Sequence, residues 1–172
     1  MTTNSDFKWP VSVERKIAAP ANEVWRVISH PGNLELCHPF CRKNPVHQWP
    51  GPQSRDEIHY LSGLVYERRF IDWIDGVGYD LDIVGKGGTK ARVMWRITPL
   101  EDSRCALRIT IYPQALQGFP AMIRWIPHLY WLRPQLRNYL ESVIQGFEWN
   151  VVRHERVPRN AFGTHPWFSA SG

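Results

Sequence analysis

The sequence predicts an α+β domain in which a curved antiparallel β-sheet of about seven strands wraps around one long C-terminal α-helix, with two short helices after the first strand. Three observations predict it. From Arg42 to Tyr112 the chain alternates apolar and polar residues with period two between short turns, which is the pattern of consecutive antiparallel strands. One later stretch, His128 to about His154, carries apolar residues at spacings of three and four instead. The strands also have one apolar and one charged face, so the sheet needs cover on a single side, and that helix can supply it.

Each element follows in order. In "VSVERKI", Val11, Val13 and Ile17 share a face with Arg15, which predicts a half-buried strand. "AAPANEVWRVIS" has Pro20 where a helix starts without losing a needed donor, then Val24, Trp25, Val27 and Ile28 at helical spacing. A Pro-Gly turn leads to a short second helix over Asn33 to Cys37. "PVHQW" and "DEIHYL" are strand candidates separated by the breaker cluster "PGPQS". "VYERRFIDWI" is a longer strand, ended by the hairpin signal Asp75-Gly76. "VGYDLDIV", "KARVMWRITP" and "CALRITIY" alternate in the same way, putting Tyr79, Leu81 and Ile83, then Ala91, Val93, Trp95 and Ile97, then Cys105, Leu107, Ile109 and Ile111 on one face. The helical stripe is Leu132, Leu136, Leu140, Val143, Ile144, Phe147 and Val151, with Pro134 either in its first turn or at a kink. Residues 1–10 read as an N-terminal arm, 11–155 as the domain, and 156–172 as a tail packed on the body, since Trp167 and Phe168 need cover.

Bulk properties exclude several functions. A chain of 172 residues suits one domain. With 43% hydrophobic and 22% charged residues it is globular rather than disordered. The net charge of +5 is spread without a basic run, so nucleic acid is not an expected partner. No apolar run is long enough for a spanning helix, and "MTTNSDFKWP" has no apolar core of a cleavable signal. Three cysteines fit a reduced, cytoplasmic setting. Nine Trp, six Tyr and seven Phe are more aromatics than a core of this size needs, which points to a lined cavity, a partner surface or a membrane-facing edge.

The segment "VERKIAAPANEVWRVISHPGNLELCHPF" resembles the helix-grip (SRPBCC) superfamily of polyketide cyclases, START lipid-transfer domains and birch-pollen-allergen-like proteins. Its strand ending in an apolar residue, Ala-Pro helix start, Val-Trp pair and Pro-Gly turn carry the likeness, which extends over residues 11–153. The resemblance implies a cavity between sheet and helix that takes apolar or aromatic small molecules. It does not separate carriers from cyclases.

Several constellations compete for a functional role. "CHPFC" (Cys37 to Cys41) lacks the second ligand pair of a structural zinc site and the two-residue spacing of a redox pair, so it is expected to be a chain corner, with no metal and no cofactor. In "VYERRFIDW", Tyr66, Arg68 and Phe70 share a face, with Glu67, Arg69, Ile71 and Trp73 on the other; Arg68 is a polar anchor for an anionic ligand group, a solvated arginine, or an ion-pair partner of Asp80 or Asp82. His59 is expected outward and His128 near the cavity mouth, each without a partner in sequence. The stretch from Phe119 to Leu132 is too apolar for one helix face, and Trp125 and Trp131 mark it as a surface for a membrane, a second copy or a cavity lid.

The expected function is therefore binding or carriage of an apolar or aromatic small molecule, lined by Tyr66, Tyr79, Trp95, Leu136, Tyr139 and Val143 with Arg68 as anchor. Two alternatives stay open. One is a metal-free cyclase- or dehydratase-like enzyme, the less favoured of the two classes, with Arg68, His59 or Tyr66 moving protons. The other is a lipid-handling module that contacts membranes peripherally, and a homodimer through the same aromatic segment is a related option.

Overall fold

In the computed structural model, which describes residues 9–114 and 127–170, the period-two segments become eight strands of one antiparallel sheet. Chain order is β1 (Val11–Ile17), α1 (Ala21–Ile28), α2 (Leu34–Cys37), β2 (Cys41–Lys43), β3 (Val46–Gln48), β4 (Arg55–Tyr60), β5 (Val65–Ile74), β6 (Gly78–Gly85), β7 (Gly88–Glu101) and β8 (Arg104–Pro113). A π-helical stretch, His128–Leu132, then leads into α3 (Arg133–Arg153). The sheet runs β1-β8-β7-β6-β5-β4-β2, and β3 pairs with β4 beside β2. Consecutive strands are neighbours from β4 to β8 because short turns permit nothing else. The non-local step is β1 against β8, with Val13 opposite Ile109.

The predicted alternation decides the faces. Leu81, Val93, Trp95, Leu107 and Ile109 are buried under the α3 stripe of Leu136, Leu140, Val143, Ile144 and Phe147. The opposite face carries ion pairs between neighbouring strands, Arg92 with Asp82 at 3.0 Å and Arg96 with Asp80 at 2.6 Å. Arg15 stands at the edge of the covered face and pairs with Glu148, tying β1 to α3. Pro134 lies in the first turn of α3, where its missing N–H breaks no α-helical bond, and the turn before it is π-helical.

After α3, His154 takes the left-handed conformation (φ 56°) and turns the chain back. The returning segment is held by backbone bonds from Val157 N–H to the Leu36 carbonyl and from Asn160 N–H to the Pro39 carbonyl. Ser62 N–H in turn donates to the carbonyl of Phe168.

Candidate functional site

Sheet and α3 enclose a space that is filled at one end and hollow at the other. Along β6 the filled end comes first. Tyr79 is buried among Trp25, Phe70, Trp73 and Trp95, and its hydroxyl donates to the Ile28 carbonyl at 3.3 Å. Further along, from Leu81 and Ile83 toward Gly87, the side chains shorten and a cavity of about 540 Å³ opens. Its walls include Tyr66, Val93, Trp95 and Ile109 from the sheet and Leu136, Tyr139, Leu140 and Val143 from the first half of α3. Trp167 and Phe168 of the returning segment also line it. Such a volume suits a small organic molecule.

Polar groups converge at one place in this wall. Arg68 is buried, 4% exposed, and donates from Nε to Asp56 Oδ1 at 2.7 Å and from Nη2 to Asp56 Oδ2. Asn44 Nδ2 donates to the same carboxylate at 3.0 Å. Burial works against the charge on Arg68, but the Asp56 carboxylate more than offsets this and holds the guanidinium firmly protonated. The pair is thus neutral as a unit, and Arg68 Nη1 has no hydrogen-bond partner among the described residues. This corrects the expected partners. Asp80 and Asp82 fall on the opposite face of β6 and pair with β7, while Asp56 shares the covered face with Arg68 across β4 and β5.

The second polar group is a chain of three side chains. His38 Nε2 lies 3.0 Å from the Tyr139 hydroxyl, which lies 2.9 Å from that of Tyr60. Phe40 N–H donates to His38 Nδ1 at 3.2 Å, so the neutral ring carries its proton on Nε2 and donates it to Tyr139. Burial, helped by the nearby Arg68 charge, pushes the His38 pKa down to about 3. Burial raises both phenols as well, so Tyr60 and Tyr139 stay protonated. The chain therefore has three protons and two internal links. Whichever way the hydroxyls turn, one phenolic O–H is left without a partner among the described residues. Together with Arg68 Nη1 this makes a donor-rich corner, and Thr89, Lys90 and Gln114 are further polar residues of the lining.

Only part of this corner is visible in the sequence. "CHPFC" is a chain reversal, with Cys37 and Cys41 buried and their thiols pushed up by burial, Cys41 to about 12. Its histidine nevertheless turns inward onto the cavity, which no periodic signal announces. Of the residues expected to line the hollow, Tyr66, Arg68, Trp95, Leu136, Tyr139 and Val143 lie against it. Tyr79 does not, because the register sets it at the filled end. His59 bonds Glu57 Oε2 at 2.7 Å on the outer face. His128 packs against Trp9 at 5.3 Å between ring centroids. Trp131 lies at the rim, 54% exposed and 5.4 Å from the Trp167 ring. Trp125 lies outside the described residues. Among the described residues no cluster of three or more His, Cys, Asp or Glu could hold a metal ion.

Comparison with known proteins gives a family and a fold. Residues 8–138 match the family described as polyketide cyclase / dehydrase and lipid transport. No curated protein matches the chain. Norcoclaurine synthase from Thalictrum flavum, solved in complex with dopamine and hydroxybenzaldehyde, is similar with 15% identity over 87% of this chain and 89% of that one (TM-score 0.60). A START superfamily protein from Mycobacterium smegmatis is similar with 14% identity over 84% and 98% (TM-score 0.63). DynU16, from the dynemicin biosynthetic locus, is similar with 13% identity and a TM-score of 0.64; the match covers 86% of this chain but only 48% of DynU16, about half its length. At such identities the likeness is one of fold.

Proposed function

The chain belongs to the polyketide cyclase / dehydrase and lipid transport family, and from that premise we propose that it binds an apolar or aromatic small molecule carrying an oxygen acceptor at one end. The observation that carries this reading is the donor-rich corner of Tyr60, Tyr139 and Arg68 in a lining that is mostly apolar and aromatic. A carbonyl, phenol or ether oxygen would take the spare phenolic proton, and the rest of the guest would bury its surface against Tyr66, Val93, Trp95 and Phe168.

Binding is better supported than catalysis. General acid–base work needs a group that titrates near the working pH. His38 is held neutral with both ring nitrogens engaged, the two phenols are held protonated and Arg68 is held charged. The cyclase- or dehydratase-like alternative would need a proton carrier outside this set.

Native mass spectrometry of gently purified protein, followed by a panel of aromatics and lipids, tests the proposal. The expected result is a retained small molecule, or panel members that bind with a ketone or phenol preferred over the hydrocarbon of the same size by roughly two- to tenfold, the worth of one net hydrogen bond. An empty protein that ignores the whole panel overturns it.

A second reading, peripheral lipid handling, draws support from Leu129, Tyr130 and Trp131, which are 40%, 74% and 54% exposed beside the cavity rim. Flotation with vesicles that contain anionic lipid should then depend on Tyr130 and Trp131. Unchanged flotation of the Tyr130→Ser/Trp131→Ser variant would remove this reading.

A further inference from the structure

A second cleft lies on the outside of the molecule. There α1, the loop before β4 and the β5–β6 hairpin bring together Trp25, Trp49 and Trp73, with Pro50 and Asp75 at the edge. No residue of this cleft lines the inner cavity. All three tryptophans are half-buried. Trp25 and Trp49 each contact Trp73, at centroid distances of 5.4 and 5.3 Å, and stand steeply to it, at 71° and 88°. The rings therefore wall the cleft at angles rather than stacking flat into a plug.

Two of the indole N–H groups are already engaged. Trp49 Nε1 donates to the Ser29 carbonyl at 2.9 Å, and Trp73 Nε1 donates to Asp75 Oδ1 at 2.9 Å. What these rings still offer a guest is their π-faces. Asp75 is exposed, its second oxygen has no hydrogen-bond partner among the described residues, and no lysine or arginine is among the described residues that line the cleft. Negative ring faces beside an unneutralised carboxylate attract a cation. A primary ammonium keeps three N–H groups that must stay hydrated or find acceptors, which holds it away from the indole faces. A quaternary ammonium needs none and lays its methyl groups on the indole faces.

We infer that this cleft is a second binding site, for a small quaternary ammonium compound, walled by Trp25, Trp49 and Trp73 and charge-matched by Asp75. Packing alone accounts for the contact of Trp49 with Phe70 and for one face of Trp73, which stacks on Tyr79 at 5.5 Å and 23°. It leaves the three half-buried rings partly open to the cleft and the second Asp75 oxygen without a partner among the described residues. The inference stands apart from the inner cavity and does not depend on what that cavity holds.

The test is a titration of the full chain with choline and, in parallel, with 3,3-dimethyl-1-butanol, which has the same shape without the charge. The indole N–H signals of Trp25, Trp49 and Trp73 are followed by NMR, with Trp9 and Trp149, which line neither cleft nor cavity, as internal references. Choline is expected to shift the three cleft signals saturably and to bind about tenfold more tightly than the neutral analogue. Asp75→Asn, on an exposed hairpin and still able to accept from Trp73, is expected to weaken choline severalfold. Equal binding of choline and its analogue, equal shifts at the reference indoles, or no saturable shift up to about 100 mM choline would each overturn the inference.

Discussion

At the scale of single residues, His38 shows how burial changes what a side chain can do. An imidazole in water titrates near neutrality and serves as a base. Here the ring is 4% exposed, faces the Arg68 charge and spends both nitrogens on Phe40 N–H and the Tyr139 hydroxyl. It becomes a fixed donor that orients two phenols. The unfolded chain takes up a proton on this ring below its ordinary value of 6.5, whereas the folded protein does so only near 3. Between these values the unfolded state binds more protons, so stability falls as pH falls, on the order of 1 kcal/mol per pH unit from this group. Above about 6.5 the ring adds no slope. Urea unfolding of wild type and His38→Gln between pH 7 and pH 4.5 should show a shallower loss in the variant. Identical slopes would mean that the ring is not held neutral.

At the scale of elements, the crossing of α3 over α2 depends on a position without a side chain. Gly146 is buried in α3, and a Cβ there would sit 2.1 Å from the Cys37 carbonyl oxygen. Alanine is the better helix former by about 1 kcal/mol, yet the clash is with backbone that cannot swing aside. Gly146→Ala is therefore expected to destabilise the protein by about 1–3 kcal/mol, while Asn138→Ala, on the exposed face of the same helix, should be neutral or slightly stabilising. Chemical denaturation of the two variants checks this, and a stabilised Gly146→Ala would show that α3 can lift off α2. The same crossing brings Tyr139 next to His38 and Tyr60. The helix thus sets the geometry of the polar corner as well as covering the sheet. The segment after α3 adds the last wall, where Phe168 stacks on Tyr60 at 4.4 Å and touches Tyr139 at 4.5 Å.

At the scale of the whole molecule, the grip is half core and half container. Seven aromatic rings, from Trp25 and Trp49 through Tyr79 to Phe147, pack the end beside α1. Shorter side chains leave the other end hollow. The packed end stabilises the fold without help, and the hollow exists only while the protein is folded. A guest that occupies it must therefore raise the unfolding midpoint, by the equivalent of about 2.7 kcal/mol when present at a hundred times its dissociation constant. A compound that binds by mass spectrometry but leaves thermal unfolding unmoved would be sitting elsewhere.

Sequence by itself determined the order of the main elements, the apolar face of the regular strands and the stripe that α3 buries. These follow from periods of 2 and 3.6 that local geometry enforces. It also put Tyr66 and Tyr139 among the expected cavity residues, while Arg68 stayed open between an anchor in the cavity and a solvated or ion-paired arginine. It did not determine the bulge between Phe70 and Asp72 that turns Trp73 from the face opposite Phe70 onto Phe70 and Tyr79. Only the tertiary structure decided that Asp56, not Asp80 or Asp82, neutralises Arg68, because register across β4 and β5 is a relation between strands and not a spacing along one. The corner at His38 obeys no period, so its inward turn appears only once α3 lies across it. The boundary between filled and hollow space, which put Tyr79 in the core and Trp95 at the cavity wall, depends on how rings from five elements interlock, and no single stretch of chain contains that information.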